Sequence, residues 1–136
     1  MATLPTTPRV LHAALTLSAI LIVGVLVVVS RLSPPAVPDL GTVLRVAAGA
    51  EILTVSALMK LVTAQIEPLR AGEDAGSWWT AQAPRAIVCW ALAEASAALG
   101  GVFWFLTRDP LVLLALGAFG VGALLWTRPE RLVSVL

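Results

Sequence analysis

Glu51 and Glu94 are the residues of this chain best placed to do chemistry, because each puts a carboxyl near the middle of a long apolar stretch. A charge at the centre of a membrane-crossing helix costs on the order of 2.5 to 3.5 kcal/mol on insertion scales, so such a carboxyl is expected to face other helices or a wet cavity. There it either accepts hydrogen bonds that hold the helices together or takes up and releases a proton or cation. Two carboxyls in contact at that depth would titrate as one coupled site. Arg45 and Lys60 are the candidate charge partners, six residues before and nine after Glu51. Their long stems can lift the charge to the headgroups. An inward-turned Arg45 would instead pair with Glu51 or Glu94.

Little else in the chain suggests a reaction. His12 falls a few residues into the first apolar block, where an interfacial position is expected and a proton relay is the sharper alternative. Cys89 is the single cysteine, which excludes an intrachain disulfide and reads as a small packing residue. No His, Cys and carboxylate spacing suits a metal, and no Gly-rich strand-to-helix turn suits a nucleotide. Neither an enzyme nor a bound cofactor is expected.

The elements that must position the glutamates follow from hydropathy. Of 136 residues, 59% are hydrophobic and 12% charged, and the apolar ones gather in four blocks. These are Val10 to Val29, about Leu40 to Val62, about Ala86 to Leu106, and Leu111 to Trp126. Their lengths match the roughly 30 Å hydrocarbon layer of a bilayer. The expected fold is therefore all-α, a single domain over residues 1–136 forming an integral membrane bundle of four transmembrane helices with up-down antiparallel connectivity and short loops. The first block ends without a small-x-small cleavage pattern, so it is read as a retained helix. Glu51 is the midpoint of the second block, and Ser96, two residues from Glu94, is the midpoint of the third; the two acids should lie at similar depth.

Punctuation supports the four blocks. Pro8 precedes the first, and the run from Ser33 to Pro38 makes a stiff link to Asp39, a candidate N-cap for the second. Pro84 suits the first turn of the third helix. Asp109 is placed to cap the fourth helix and Pro110 to start it, so the third and fourth should be antiparallel neighbours. Pro129 ends the fourth.

The faces around the acids are rich in small residues. Ala47, Ala48 and Thr54 share a face with Glu51, and Ala91, Ala97, Ala98 and Gly101 share one with Glu94. Small residues allow the close backbone approach that helices in lipid depend on. Gly117, Ala118, Gly120 and Gly122 extend this to the fourth helix, for packing within the chain or between copies. Trp78 and Trp79, in the connection Gln65 to Ala83, and Trp126, at the end of the fourth block, are expected to anchor at the headgroups.

An even number of crossings puts both termini and the 65–83 connection on one side, with Arg9, Lys60, Arg70, Arg85, Arg128 and Arg131, against Arg31, Arg45 and Arg108 on the other. Six against three places the termini in the cytoplasm. Eight arginines to one lysine suits a bacterial, GC-rich source, hence the bacterial inner membrane. A net charge of +1 without a basic stripe argues against nucleic acid as a partner. The expected partners are the lipid bilayer and either a second copy or another membrane protein.

The stretch Ala91-Leu92-Ala93-Glu94-Ala95-Ser96-Ala97-Ala98-Leu99-Gly100-Gly101 resembles the carboxylate helix of the proteolipid c subunits of rotary ATPases. That resemblance implies an ion- or proton-carrying role for Glu94. The family places a Gly-x-Gly ladder on the helix before its glutamate, whereas Gly117, Gly120 and Gly122 come after Glu94 here. The whole chain is similar to small four-helix membrane proteins of bacteria that share an Ala-Leu-x-Glu-Ala start to helix 3, which implies a fold and no activity. Ala48-Gly49-Ala50-Glu51 also echoes Ala91-Leu92-Ala93-Glu94, the pattern an inverted repeat around one midplane site would leave. The functional expectation is a structural or accessory membrane subunit whose buried glutamates stabilise helix packing. The alternative is proton or cation translocation through an oligomer by Glu94, Glu51 or both.

Overall fold

The computed structural model describes residues 6–134, and among them there is no β-strand. The helices are α1 (Thr6–Ser30), α2 (Gly41–Thr63, entered through a single 3-10 turn at Pro38–Leu40), α3 (Ala75–Thr107), α4 (Pro110–Trp126) and α5 (Pro129–Ser134). Three of them, α1, α2 with its leading turn, and α3, are long and apolar enough to cross a membrane. The apolar α4 has 17 residues, about 25 Å at 1.5 Å per residue, a little short of the ~30 Å hydrocarbon layer.

Helix α3 is the axis. In its most apolar stretch 44% of residues are buried, against 11% in α1 and 17% in α2, because the other helices pack around it. His12 lies against Trp90, and Val23 lies against Gly101, so α1 runs parallel to α3. Gly120 meets Ala93 and Ala97 while Gly100 meets Leu116, so α4 runs antiparallel to it. Contacts from Glu51 to Ser96 and from Arg45 to Asp109 give α2 the same antiparallel sense.

The closest crossing is set by one glycine. A Cβ built on Gly120 would stand 2.5 Å from the Ala93 carbonyl oxygen and 2.6 Å from the Ala97 nitrogen, so only hydrogen fits there. At Gly101 the approach to α1 is looser: a Cβ would meet the end of the Leu26 side chain at 2.9 Å, which can rotate away, and the Val23 Cα at 3.4 Å. Gly117 and Gly122 have open space at the Cβ position, and Ala118 and Gly122 are exposed on the outer face of α4. Of the small residues singled out in the sequence, Gly120 and Ala97 close the α3–α4 crossing, Ala48 packs against Val112 and Leu116, and Ala118 and Gly122 stay on the outer face.

Four expectations about boundaries are corrected, the first being that Pro8 precedes α1: it lies in the first turn of that helix, which spans Thr6–Ser30. Helix α3 begins at Ala75 instead of near Ala86, so the connection after α2 shrinks to residues 64–74 and Pro84 lies inside the helix, not in its first turn. The added turns are amphipathic: Ala75, Trp78, Trp79, Gln82 and Ala86 recur at helical spacing and are buried, whereas Pro84 is exposed on the opposite side. Asp74 caps this start, accepting from the Ser77 backbone N–H at 2.8 Å and from its hydroxyl at 3.0 Å. Those bonds hold the Asp74 carboxyl below the usual carboxylate range. At α2 the residue before the helix is Leu40, and Asp39 sits within the 3-10 turn without capping it. At α4 the expectation holds: Asp109 accepts from Leu111 N–H at 3.0 Å and Pro110 opens the helix.

The early turns of α3 change the setting of the tryptophans. Trp78 and Trp79 are 2% and 8% exposed, packed in one cluster with Ile66, Leu69, Leu132 and Val133. Trp78 donates its indole N–H to the Glu67 carbonyl at 2.8 Å, and Trp79 stacks on Trp90 at 5.7 Å. They fasten a small cap of loop and α5 onto α3 where headgroup-facing anchors were expected. Trp126, at 70% exposure, remains an outward-facing ring, with Arg131 over it at 4.7 Å.

Candidate functional site

Halfway along α2, Glu51 reaches α3. The buried Ser96 hydroxyl stands 3.1 Å from Glu51 Oε1 and 3.1 Å from the Leu92 carbonyl one turn back in its own helix. A hydroxyl carries one hydrogen and accepts at its lone pairs, so the arrangement suits both states of the acid. Ser96 donates to a Glu51 carboxylate; alternatively it donates to Leu92 and accepts from a protonated Glu51. Neither state strands a polar atom in the helix interface, where an unmade hydrogen bond is costly.

Glu94 is not part of this pair. It precedes Ser96 by two residues, about 200° around the helix at 100° per residue, which carries it away from α2. Gly101, seven residues on and so about 20° from the same line, meets Val23 and Leu26, so Glu94 lies on the side of α3 that meets α1. It is half-buried and makes no hydrogen bond or ion pair among the described residues. The two acids share a depth but not a face.

Arg45 pairs with neither glutamate. Its Nε lies 2.5 Å from Asp109 Oδ2, joining the first turn of α2 to the tight turn between α3 and α4. The Asp109 side chain is 6% exposed while the arginine stays half in the open. The Arg45 guanidinium, more than the bond from Leu111, holds the Asp109 carboxyl below its usual range. Lys60 is exposed near the end of α2, without an ion pair among the described residues.

Other polar side chains tie helix ends together, and sequence reasoning did not find them. Arg108 adopts the left-handed conformation that ends α3, at φ 59°. Its guanidinium donates to the Phe105 and Trp104 carbonyls of α3 and to the Ser30 and Ser33 carbonyls at the end of α1. The last carbonyls of a helix have no partner within it, so the two terminal NH2 groups of one guanidinium serve two helix ends at once. Trp104 donates its N–H to Ser30 Oγ at 2.9 Å. Towards the other end, His12 Nε2 donates to the Leu124 carbonyl at 2.8 Å, and Trp90 Nε1 donates to the Thr127 carbonyl at 2.8 Å. His12 thus serves the last turn of α4 and packs edge-on to Trp90 at 5.1 Å, instead of resting at an interface. An Arg directly before Asp-Pro, where Gly or Asn usually ends a helix, was the available signal for Arg108.

Cys89 is fully buried beside Val55 and Met59. Among the described residues no group of three or more His, Cys, Asp or Glu side chains is gathered closely enough to hold a metal ion. Comparison of the chain with protein-family models, curated proteins and solved structures finds no match.

Proposed function

We propose that the chain is a four-span antiparallel membrane bundle acting as a structural or accessory subunit, in which Glu51 holds α2 to α3 through Ser96. The observation that carries this reading is the use made of the interior polar groups. Ser96, His12, Trp90, Trp104 and Arg108 are each engaged in a bond from one helix to another helix or its end. Buried polar groups so engaged specify one packing arrangement. The bundle lies in the bacterial inner membrane with both termini cytoplasmic. Arg9 pairs with Glu130 at 3.0 Å, which supports a common side for the two ends of the chain.

The test is Glu51→Gln, which keeps shape and hydrogen-bonding capacity. Folding and assembly in detergent should match the parent, whereas Glu51→Leu should weaken both. Loss of assembly in the glutamine variant would overturn the reading.

A second reading has its own observation in the unpartnered Glu94. A half-buried acid without a partner is free to exchange a proton or cation, and an oligomer would supply the rest of a path through the bilayer. Purified chain in liposomes containing a pH-sensitive dye tests it. Carboxylate-dependent flux abolished by Glu94→Gln with assembly intact would replace the structural reading, and no flux under an imposed gradient would remove the alternative.

A further inference from the structure

Near the end where α2 finishes, α2 and α4 part and leave an open groove of about 550 Å³ between them. Its floor is apolar, built from Met59, Phe119, Ala118, Gly122 and Ala123, and its rim carries Ser56, Lys60 and Trp126. No carboxylate lines it. Along α4 it runs from Ala118 to Thr127, about 13 Å at 1.5 Å per residue. That is close to half of the ~30 Å hydrocarbon layer, the depth of one leaflet.

The charges stand at one end. Lys60 lies one turn from the end of α2, level with Trp126 and Thr127 at the end of α4, and Arg131 covers the outer face of the Trp126 ring. Neither the Lys60 ammonium nor the Ser56 hydroxyl has a hydrogen-bond or ionic partner among the described residues. The other small residues of the outer α4 face would suit another helix equally well. A cation at headgroup height above an acid-free apolar channel one leaflet deep selects for a different occupant.

We propose that this groove binds an anionic phospholipid, one acyl chain lying along Ala118, Phe119 and Gly122 and the phosphate held by Lys60 with Ser56 and the Trp126 N–H as further donors. The proposal rests on the chain being embedded in a bilayer, and recovery of the chain from water without detergent would defeat that premise separately. A juxtamembrane lysine adds attraction for anionic lipid equivalent to about a fivefold change in binding.

The experiment uses the full chain in detergent, with dioleoylphosphatidylglycerol or dioleoylphosphatidylcholine added and bound lipid counted by native mass spectrometry. Phosphatidylglycerol should be retained over phosphatidylcholine by about fivefold or more, the contribution of one lysine. Lys60→Gln should erase that preference, while Arg31→Gln, at the opposite end of the bundle, should leave it unchanged. Ala118→Leu, which fills the exposed channel without touching the core, should reduce retention of both lipids. Equal retention of the two lipids by the parent chain would overturn the proposal, as would equal losses from Lys60→Gln and Arg31→Gln. So would Ala118→Leu leaving lipid retention intact while changing the oligomeric mass, since the groove would then seat a second copy of the chain.

Discussion

The Ser96 hydroxyl of α3 lies 3.1 Å from Glu51 of α2, and this single bond spans the two helices near their middles. Hydrogen bonds between membrane helices measured by double-mutant cycles average about 0.6 kcal/mol and reach about 1.7. Ser96→Ala and Glu51→Leu, alone and together, should show a coupling within that range when unfolding is followed in mixed micelles. Zero coupling would mean that the two groups meet without stabilising the bundle.

Replacing Gly120 by alanine should be among the more damaging small substitutions in the chain. The new methyl would stand 2.5 Å from a backbone oxygen of α3, and neither backbone can yield without separating the helices. Overpacking of this kind costs about 1 to 3 kcal/mol. Gly117→Ala and Gly122→Ala, where the same methyl meets nothing within 4 Å, should be neutral or slightly stabilising, since alanine is the better helix former. Thermal unfolding of the three variants side by side checks the contrast.

Acid should loosen the turn between α3 and α4. The Asp109 carboxyl is held below its ordinary range by Arg45, so its contribution is fully present above the unfolded value of about 3.9. It is lost as pH falls through the lower folded value, because the unfolded chain then takes up the proton more readily. Stability should thus decline below about pH 5, where the unfolded carboxyl begins to protonate, and the decline should be shallower in Asp109→Asn. Asp74, lowered by its bonds to Ser77, acts in the same direction and should leave a residual slope in that variant. An unchanged slope would show that the Arg45 pair does not contribute.

Trp90→Phe keeps a ring in the core but removes the N–H that serves the Thr127 carbonyl. The expected loss is about 1 kcal/mol, the usual net worth of a hydrogen bond, together with a change in the near-ultraviolet dichroism from the Trp79–Trp90 stack. His12→Ala should add to it less than independently, because the two rings touch.

Much of the fold was legible because hydropathy and capping are local. The all-helical class, the long apolar helices and the Asp109-Pro110 start of α4 follow from neighbouring residues alone. The first turns of α3 did not, since residues 75–85 are helical with a buried face that exists only once Ile66, Leu69 and Leu132 are in place. Arg45 was recognised as a charge in need of a partner, but its partner lies 64 residues away. Ser96 marks the middle of helix 3 in the sequence, but no neighbouring residue shows that its hydroxyl meets Glu51. Hydropathy reveals the depth of the glutamates. Their faces depend on how helices are rotated against each other, which it does not.

The hold of Arg108 on the carbonyls of Ser30 and Ser33 bears on the order in which the bundle can be completed. A chain emerging from the ribosome offers α1 to the bilayer long before residue 108 exists, so the far end of α1 has no arginine to close it until α3 is almost finished. The first helix must wait, its last carbonyls served by water or lipid headgroups, and truncation just before residue 108 should leave it loosely docked and open to proteolysis.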